Sequence, residues 1–376
     1  MKEDRKYYIY GAGRNGLLLL SIMRKLTLGV EAFIDRDINK RGRFCGIKCI
    51  SLEDASAQLQ SVIILISVDQ SEGIEEELRS YNFETIYNLG KILSKLHFFF
   101  PLTTCDEDYK RVAPFNYYES PYPDIIEVHK NEEKIFENKE VKEIDFNLDR
   151  QFELLDAFAS IPLLKWDKNP IEKLRYYSDN NYFTIGCAHI LQCMMCTVRP
   201  KRIIEVGSGF STAVMLDTNE HCLNNNIHIS SVEPYPDRLK SLLRPTDKIC
   251  IYEKRLEDMP LDYFECLDEN DILFIDSSHI SKINSDVNYI FFEILPRLKR
   301  GVYIHFHDIF YPFIYPKSWI YEGRAYNEMY MLRTFLMNNK KYKIQLFPDM
   351  LVKENYRKGC GMLNSSRINS IYLRKE

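Results

Sequence analysis

The chain has 376 residues, 45% of them hydrophobic and 28% charged, which is typical of a globular protein large enough for two domains. Its formal net charge of −4 provides no basic face for nucleic acid, and no apolar run is long enough to cross a membrane. Its ten cysteines lack regular spacing, which indicates reduced thiols. The N-terminus, Met1–Lys6, carries acids and leads into a predicted strand, which is unlike a secretory signal. We therefore expect a cytoplasmic protein that acts on small molecules; self-association stays open.

The pattern of residues 1–100 predicts a small α/β domain with a nucleotide-binding turn. Its predicted strands occupy residues 7–10, 30–34, 61–66 and 84–87. The first strand runs into a complete Gly-x-Gly-x-x-Gly sequence made by Gly11, Gly13 and Gly16, and a helix follows over residues 17–26. The second strand ends at Asp35, about twenty residues beyond the glycines, where an acid that binds a ribose is expected.

This domain resembles the small Rossmann-like domains at the front of bacterial sugar-modifying enzymes. The resemblance lies in Phe33–Asp37, in Gly42 and in the segment Gly46–Ile50. It implies either a bound nucleotide or nucleotide-sugar, or a purely structural domain, and the sequence leaves both open. Prolines and a charged run then predict a linker with short helices over residues 101–145.

The second predicted domain, residues 146–376, contains a strand that leads into a second glycine turn. The strand Arg202–Val206 runs into Gly207 and Gly209, which open a helix. Further predicted strands end in acids at Glu233, Asp276 and Asp308, the last directly after His307. The carboxyl ends of parallel strands share one edge of a sheet, so we expect these groups to converge there.

The order of elements from about Tyr176 onwards resembles the class I S-adenosylmethionine (SAM) methyltransferases. The predicted fold is therefore α/β, with two Rossmann-like three-layer α/β/α domains, the second of them a class I methyltransferase sheet. The resemblance implies that SAM is the cofactor and that the turn wraps its methionine part, while Glu233 holds the ribose. An acid facing the adenine would be Asp258, with Glu257 as its rival, and Tyr182 and Phe183 would neighbour the cofactor. The implied SAM contacts are Glu205, Gly207, Ser208, Gly209, Glu233, Asp258, Asp276 and Tyr182.

Methyl transfer to a hydroxyl needs removal of its proton, by a general base or with the help of a divalent metal. His279, three residues beyond Asp276, and His307 are the candidate bases, and Asp308 completes the candidate catalytic set. In some relatives Mg²⁺ is held at the corresponding positions, which are Asp276 and then His307–Asp308. A divalent ion between Asp276 and Asp308 is thus the alternative. His305 lies one layer deeper in its strand and is expected in the core.

An aromatic and proline-rich loop follows Asp308. Tyr315 and Trp319 are candidates to stack on an acceptor, and Arg324 to hydrogen-bond it, although burial within the domain competes with this interpretation. The expected function is O-methylation of a sugar, nucleotide-sugar or other small hydroxylated metabolite. Two alternatives remain: an NAD-dependent oxidoreductase or epimerase using the front glycine motif, and a non-catalytic binding protein with a SAM fold.

Overall fold

The computed structural model describes residues 6–26, 28–44, 46–57, 62–68, 73–96, 121–137, 140–356 and 368–376. The chain divides into two compact units, one comprising Met1–Val128 and Tyr321–Gly323, the other His129–Ile320 and Arg324–Glu376. The expected boundary at residue 100, and residues 101–120 of the expected linker, lie outside the described residues. No helix of the described segments is both long and apolar enough to span a membrane.

The front unit is a mostly parallel sheet with helices between its strands. Its strands are β1 (Lys6–Tyr10), β2 (Val30–Ile34), β3 (Gly42–Phe44), β4 (Ile47–Ile50), β5 (Val62–Ile66) and β6 (Thr85–Asn88). Its helices are α1 (Arg14–Lys25), α2 (Leu52–Ser56), α3 (Ile74–Ser80) and α4 (Gly90–Leu96), and a 3-10 turn covers Ile38–Lys40. Within the described residues the strand order is β3-β4-β2-β1-β5-β6, and all neighbours are parallel except β3 and β4. Two short helices follow, α5 (Ile125–Lys130) and α6 (Glu132–Phe136).

The second unit contains the larger sheet. Its strands are β7 (Arg202–Val206), β8 (His228–Val232), β9 (Cys250–Tyr252), β10 (Ile272–Ile275), β11 (Tyr303–His307), β12 (Tyr342–Leu346) and β13 (Ser370–Lys375). The helices before β10 are α7 (Leu148–Phe158), α8 (Ile185–Val198), α9 (Phe210–Cys222), α10 (Asp237–Leu242) and α11 (Asp262–Glu265). Those after it are α12 (Asp286–Tyr289), α13 (Leu295–Arg297), α14 (Lys317–Tyr321), α15 (Glu328–Leu336) and α16 (Pro348–Lys353). A 3-10 turn covers Leu256–Asp258, and a π-helical turn, Ile290–Ile294, joins α12 to α13.

The order of the larger sheet positions the site. In the described part of the chain it is β12-β13-β11-β10-β7-β8-β9, with β13 antiparallel to both of its neighbours. The chain leaves β7 towards β8 and β9 and then returns to the other side of β7 as β10. This reversal opens a crevice at the carboxyl ends of β7 and β10, the place where open α/β sheets bind ligands.

The central strands are buried on both faces, as parallel strands between two helical layers must be. Every residue of β10 is buried, and so is β7 from Ile203 onwards. The apolar runs that predicted these strands in the sequence are therefore explained by burial, and the predicted α/β fold class is confirmed for both units.

A buried ion-pair network attaches the segment before α8 to α9. The Asp217 carboxylate on α9 accepts hydrogen bonds from the backbone N–H groups of Arg175 and Tyr176 and from the Trp166 indole. The Arg175 guanidinium lies 3.0 Å from Asp217 and also pairs with Asp247. Because Asp217 is fully buried, removing its carboxylate leaves the indole and the two backbone N–H groups without this partner, while the guanidinium keeps Asp247.

We expect Asp217→Ala to lower the free energy of unfolding of the second unit by about 3–5 kcal/mol, since it leaves the Arg175 charge partly unpaired in the interior. The matched control is Lys299→Ala, which breaks a pair with Asp268 that is half exposed and should cost below about 1 kcal/mol. Urea denaturation followed by far-UV circular dichroism measures both. Equal losses in the two variants would contradict the network's role.

Candidate active site

A cavity of about 530 Å³ lies at the carboxyl edge of the larger sheet, and cofactor pockets commonly enclose about 300–1,000 Å³. Its wall includes Gly207 after β7, Glu233 after β8 and Asp276 after β10. Glu257, Lys282 and Asp286 also line it. Of the strand ends that the sequence predicted to converge, those of β7, β8 and β10 contribute to this wall.

Gly207 lies directly against the end of β10 in this wall. Its φ is +78°, and a Cβ atom at this position would lie 2.0 Å from the main-chain oxygen of Asp276. The Gly207 N–H donates to Val232 O at 3.1 Å, and the Asp276 N–H donates to Val206 O at 2.8 Å. Only glycine allows the ends of β7 and β10 to approach this closely, so this residue sets the position of Asp276.

Glu205, expected to contact the cofactor, is instead buried within the turn. Its carboxylate accepts hydrogen bonds from the hydroxyls of Ser211, at 2.6 Å, and Thr212, both in the first turn of α9. Burial is the main cause that raises the pKa of Glu205 to about 8. Gly209 precedes the same helix, and its N–H donates to the Thr212 hydroxyl at 3.1 Å. These residues hold the shape of the glycine turn.

Glu233 is oriented by two backbone donors. One carboxylate oxygen accepts from the N–H of Ser208 at 3.1 Å, the other from the N–H of Tyr235 at 2.8 Å. Each oxygen keeps a further lone pair. The side chain lines the cavity, so it is placed to accept hydrogen bonds from a ligand there.

Of the two acids considered for the adenine, Glu257 lines the cavity, whereas Asp258 is exposed. Glu257 is held by Arg255 at 2.6 Å. Tyr182 is 57% exposed, stacks on Phe210 and lies beneath the Arg238 guanidinium, 3.7 Å from its ring centroid. Asp258 and Tyr182 are therefore not among the residues of the cavity wall.

Beside the cavity, Asp276, His279 and Asp308 bring together two carboxylates and one imidazole. One ligand atom from each lies within 4.8 Å of the others, and His279 Nε2 is 3.5 Å from an oxygen of either aspartate. Burial alone would lower the pKa of His279, but the hydrogen bonds of Asp276 and Glu328 to its ring raise that pKa well above its ordinary value. The sequence predicted this convergence, although it assigned the metal to the aspartates alone.

Glu328, at the start of α15, is a member of the site that the sequence did not reveal. It is 1% exposed; one oxygen accepts from the Ser277 hydroxyl and the other bonds His279 Nδ1, both at 2.8 Å. Tyr326 packs against the His279 ring at a centroid distance of 5.1 Å. The one signal in the sequence is a lone acid at the start of a helix that is otherwise largely apolar.

His307, the other candidate base, is buried in β11. Its ring stacks on Phe183 at 5.0 Å, and no partner for its Nδ1 is found among the described residues. Its Nε2 lies 3.9 Å from an oxygen of Asp308. His305 is buried between Phe274 and Tyr372, which agrees with its expected core position. His279 is thus the histidine that the fold presents between the two aspartates.

The aromatic loop after Asp308 is packed mostly into the second unit. Tyr315 is 2% exposed, and its hydroxyl accepts from the Met329 N–H at 3.1 Å, so the expected stacking of its ring on an acceptor does not fit this placement. The Trp319 ring lies between Tyr315 and the Arg324 guanidinium, which is 4.4 Å from its centroid. Burial, the competing interpretation, describes Tyr315; Arg324 is exposed.

The front unit folds the predicted glycine turn. A Cβ on Gly16 would lie 2.1 Å from Gly11 O, so this glycine allows α1 to pack closely on the turn. Gly13 precedes α1 and has open space around it. Asp35 follows β2, and its carboxylate accepts from the N–H groups of Ala12 at 2.6 Å and Asp37 at 2.9 Å. Although its partial burial opposes ionisation, these bonds lower the pKa of Asp35.

The sheet order, with a cavity at the glycine turn after β7, defines a class I methyltransferase fold. Residues 204–309 match the family described as a methyltransferase domain. A protein of Archaeoglobus fulgidus without an assigned function is 33% identical over 172 residues, which cover 44% of this chain and 78% of the relative. The chain belongs to the same family as this archaeal protein, and residues 204–309 of its second unit form a methyltransferase domain by their match to that family model.

Several solved structures are similar to this chain, with low TM-scores. PaMTH1 of Podospora anserina, bound to S-adenosylhomocysteine, has a TM-score of 0.35 and 14% identity, over 71% of this chain and 100% of that one. CmcI with Mg²⁺ and SAM has a TM-score of 0.34 and 19% identity, over 59% and 84%. Because these scores lie below 0.5, the fold is assigned from the sheet order and the family from the archaeal relative.

We expect Glu205→Gln to remove a pH dependence of stability. The folded-state pKa is raised from 4.5 to about 8, so in this range the unfolded chain releases a proton that the folded protein keeps. Stability should therefore fall with rising pH between these values, by about 1.4 kcal/mol per unit. Urea denaturation at pH 5.5, 7.0 and 8.5 gives the free energy of unfolding of both proteins. The difference between wild type and variant should shift in favour of the variant as pH rises. Parallel curves, as expected for the exposed control Glu253→Gln, would contradict this.

Proposed function

We propose that the second unit methylates a hydroxyl oxygen of a small acceptor, a sugar, nucleotide-sugar or similar metabolite, with SAM as methyl donor. The observation that carries this proposal is the position of Asp276. Its side chain belongs both to the wall of the cavity and to the cluster with His279 and Asp308. A cofactor in the cavity would thus have its sulfonium beside groups able to handle the acceptor's proton.

Three features support SAM as the ligand of the cavity. The Glu233 carboxylate, fixed by two backbone donors, would accept hydrogen bonds from the ribose hydroxyls. Glu257 would accept from the amino group of the adenine, in place of the Asp258 that the sequence favoured. The turn at Gly207 leaves room for the methionine part, and Glu205 supports that turn from behind.

The transfer itself forms one O–C bond and breaks one S–C bond. The acceptor oxygen attacks the methyl carbon in line with the sulfur, S-adenosylhomocysteine leaves, and the hydroxyl proton is released to the cluster. Asp276 and Asp308 carry the negative charge that attracts this proton. Tyr326, whose ring packs on His279, would contact a sugar ring bound beside the cluster.

A divalent metal fits the same cluster. Two carboxylate oxygens and an imidazole nitrogen converge within the reach of one ion, and their donor set suits a dication. Asp276 and Asp308 would hold it. When bound, such an ion would lower the pKa of an acceptor hydroxyl.

For the front unit we propose a nucleotide or nucleotide-sugar as ligand, supported by the folded glycine turn and by Asp35. The carboxylate of Asp35 is fixed at that turn by the Ala12 N–H, next to where a ribose would lie. A nucleotide-sugar acceptor, bound through its nucleotide, would be one such ligand. Reduction or epimerisation with NAD remains the alternative use of the same turn.

Calorimetric titration of the full chain with SAM and with NAD tests the proposal. We expect SAM to bind the wild type and Gly207→Arg to lose binding by at least about 100-fold, because any side chain at this position displaces Asp276. The matched control is Gly29→Arg, where the glycine has open space around it and SAM affinity should be unchanged. Binding of NAD but not SAM by the wild type would favour the oxidoreductase alternative.

A second comparison tests the adenine contact. Glu257→Ala should weaken SAM binding about 10-fold or more, the effect of one lost hydrogen bond to a buried group, whereas Asp258→Ala should leave it within about twofold. Calorimetry on both variants gives the two affinities. The reverse order would restore Asp258 as the adenine acid.

A further inference from the structure

The surroundings of His279 determine how its ring faces the two aspartates. Its Nδ1 lies 2.8 Å from Glu328, a carboxylate that accepts hydrogen bonds, so the hydrogen of the neutral ring resides on Nδ1. The other nitrogen, Nε2, lies 3.5 Å from an oxygen of Asp276 and of Asp308, and it carries the lone pair whenever the ring is neutral, as a metal ligand must be. Metal-binding histidines commonly have this arrangement, in which the second ring nitrogen donates to a carboxylate.

Glu328 cannot easily turn away from this contact. It is 1% exposed, and its other oxygen accepts from the Ser277 hydroxyl at 2.8 Å. The His279 carbonyl accepts from the N–H groups of Asn327 and Glu328, at 3.0 and 3.2 Å. Both the ring and the backbone of His279 are thus held by the start of α15. That backbone has a φ of +60°, a conformation that a non-glycine residue keeps only where its surroundings enforce it.

The charges of the cluster also call for a cation. Asp276, Asp308 and Glu328 surround one imidazole, and the ion pairs found for Asp276 and Asp308 among the described residues are with histidines only. Even a protonated His279 would leave two negative charges in excess. The donor set of two carboxylates and one imidazole matches transition-metal dications, because Mg²⁺ favours oxygen ligands alone.

We propose that Asp276, His279 and Asp308 bind a transition-metal dication of the Mn²⁺ or Co²⁺ type in preference to Mg²⁺, and that Glu328 is the positioning residue that directs His279 Nε2 at the ion. The role of the ion in methyl transfer rests on the proposed function. Its binding is inferred from the contacts of the cluster alone. His279 is thereby assigned to the metal, and a buried acid 49 residues further along the chain is given a role.

The test is calorimetric titration of the chelator-treated full chain with MnCl₂ and with MgCl₂. We expect Mn²⁺ to bind at least about tenfold more tightly than Mg²⁺. His279→Asn, which replaces the nitrogen ligand by an amide oxygen, should remove most of this preference. Glu328→Gln should weaken Mn²⁺ binding about 10- to 100-fold, the usual effect of losing such a supporting carboxylate. Glu328→Asp, which keeps the carboxylate, should recover part of the loss.

Thermal unfolding of each variant separates a loss of metal binding from a loss of fold, and the exposed control Glu253→Gln should bind Mn²⁺ like the wild type. Equal affinity for both metals, no binding at millimolar concentrations, or Glu328→Gln within twofold of the wild type would overturn the inference. SAM titration of the same samples distinguishes the two proposals. SAM binding without Mn²⁺ binding would refute the metal site alone, and Mn²⁺ binding without SAM binding would refute the methyltransferase function alone.

Discussion

The close approach of Gly207 to the main-chain oxygen of Asp276 is the contact on which the site depends. A Cβ atom would lie 2.0 Å from that oxygen, so the ends of β7 and β10 can meet only because one of them is a glycine. Their meeting places Asp276 both in the wall of the cavity and in the cluster with His279 and Asp308. The buried Glu205 stabilises the turn by accepting hydrogen bonds from two hydroxyl groups in the first turn of α9. The chemistry proposed for the second unit therefore depends on the absence of a side chain at Gly207.

Around this contact, the second unit concentrates negative charge at one edge of its sheet. Glu233 and Glu257 face the cavity, and Asp276, Asp308 and Glu328 surround His279. A sulfonium and a metal dication are both positive, so one charge distribution suits both proposed ligands. The buried network of Arg175 and Asp217 is different, because there the charges are paired within the protein and stabilise the fold.

Local patterns in the sequence predicted most of the parallel strands and both glycine turns. Each strand was marked by an apolar run, and each turn by glycines directly after such a run, which are signals confined to a few residues. The short edge strands β3 and β9 were not predicted, since three residues carry too little pattern. Aromatic composition was a poor guide to the acceptor contacts. It left Tyr315 open between a ligand contact and burial, and the fold covers its ring with Trp319 and Tyr326.

The sequence alone determined the fold class of both units, the turn at Gly207, and the acids and histidines that end the strands, because strand order and the shared carboxyl edge follow from local pattern and topology. Only the tertiary structure decided which of these groups meet. Glu257, and not Asp258, lines the cavity, and His279, and not His307, lies in the cluster. Glu328, at the start of α15, contacts His279 as well. Such choices depend on packing between segments far apart in the chain, and no local pattern records that packing.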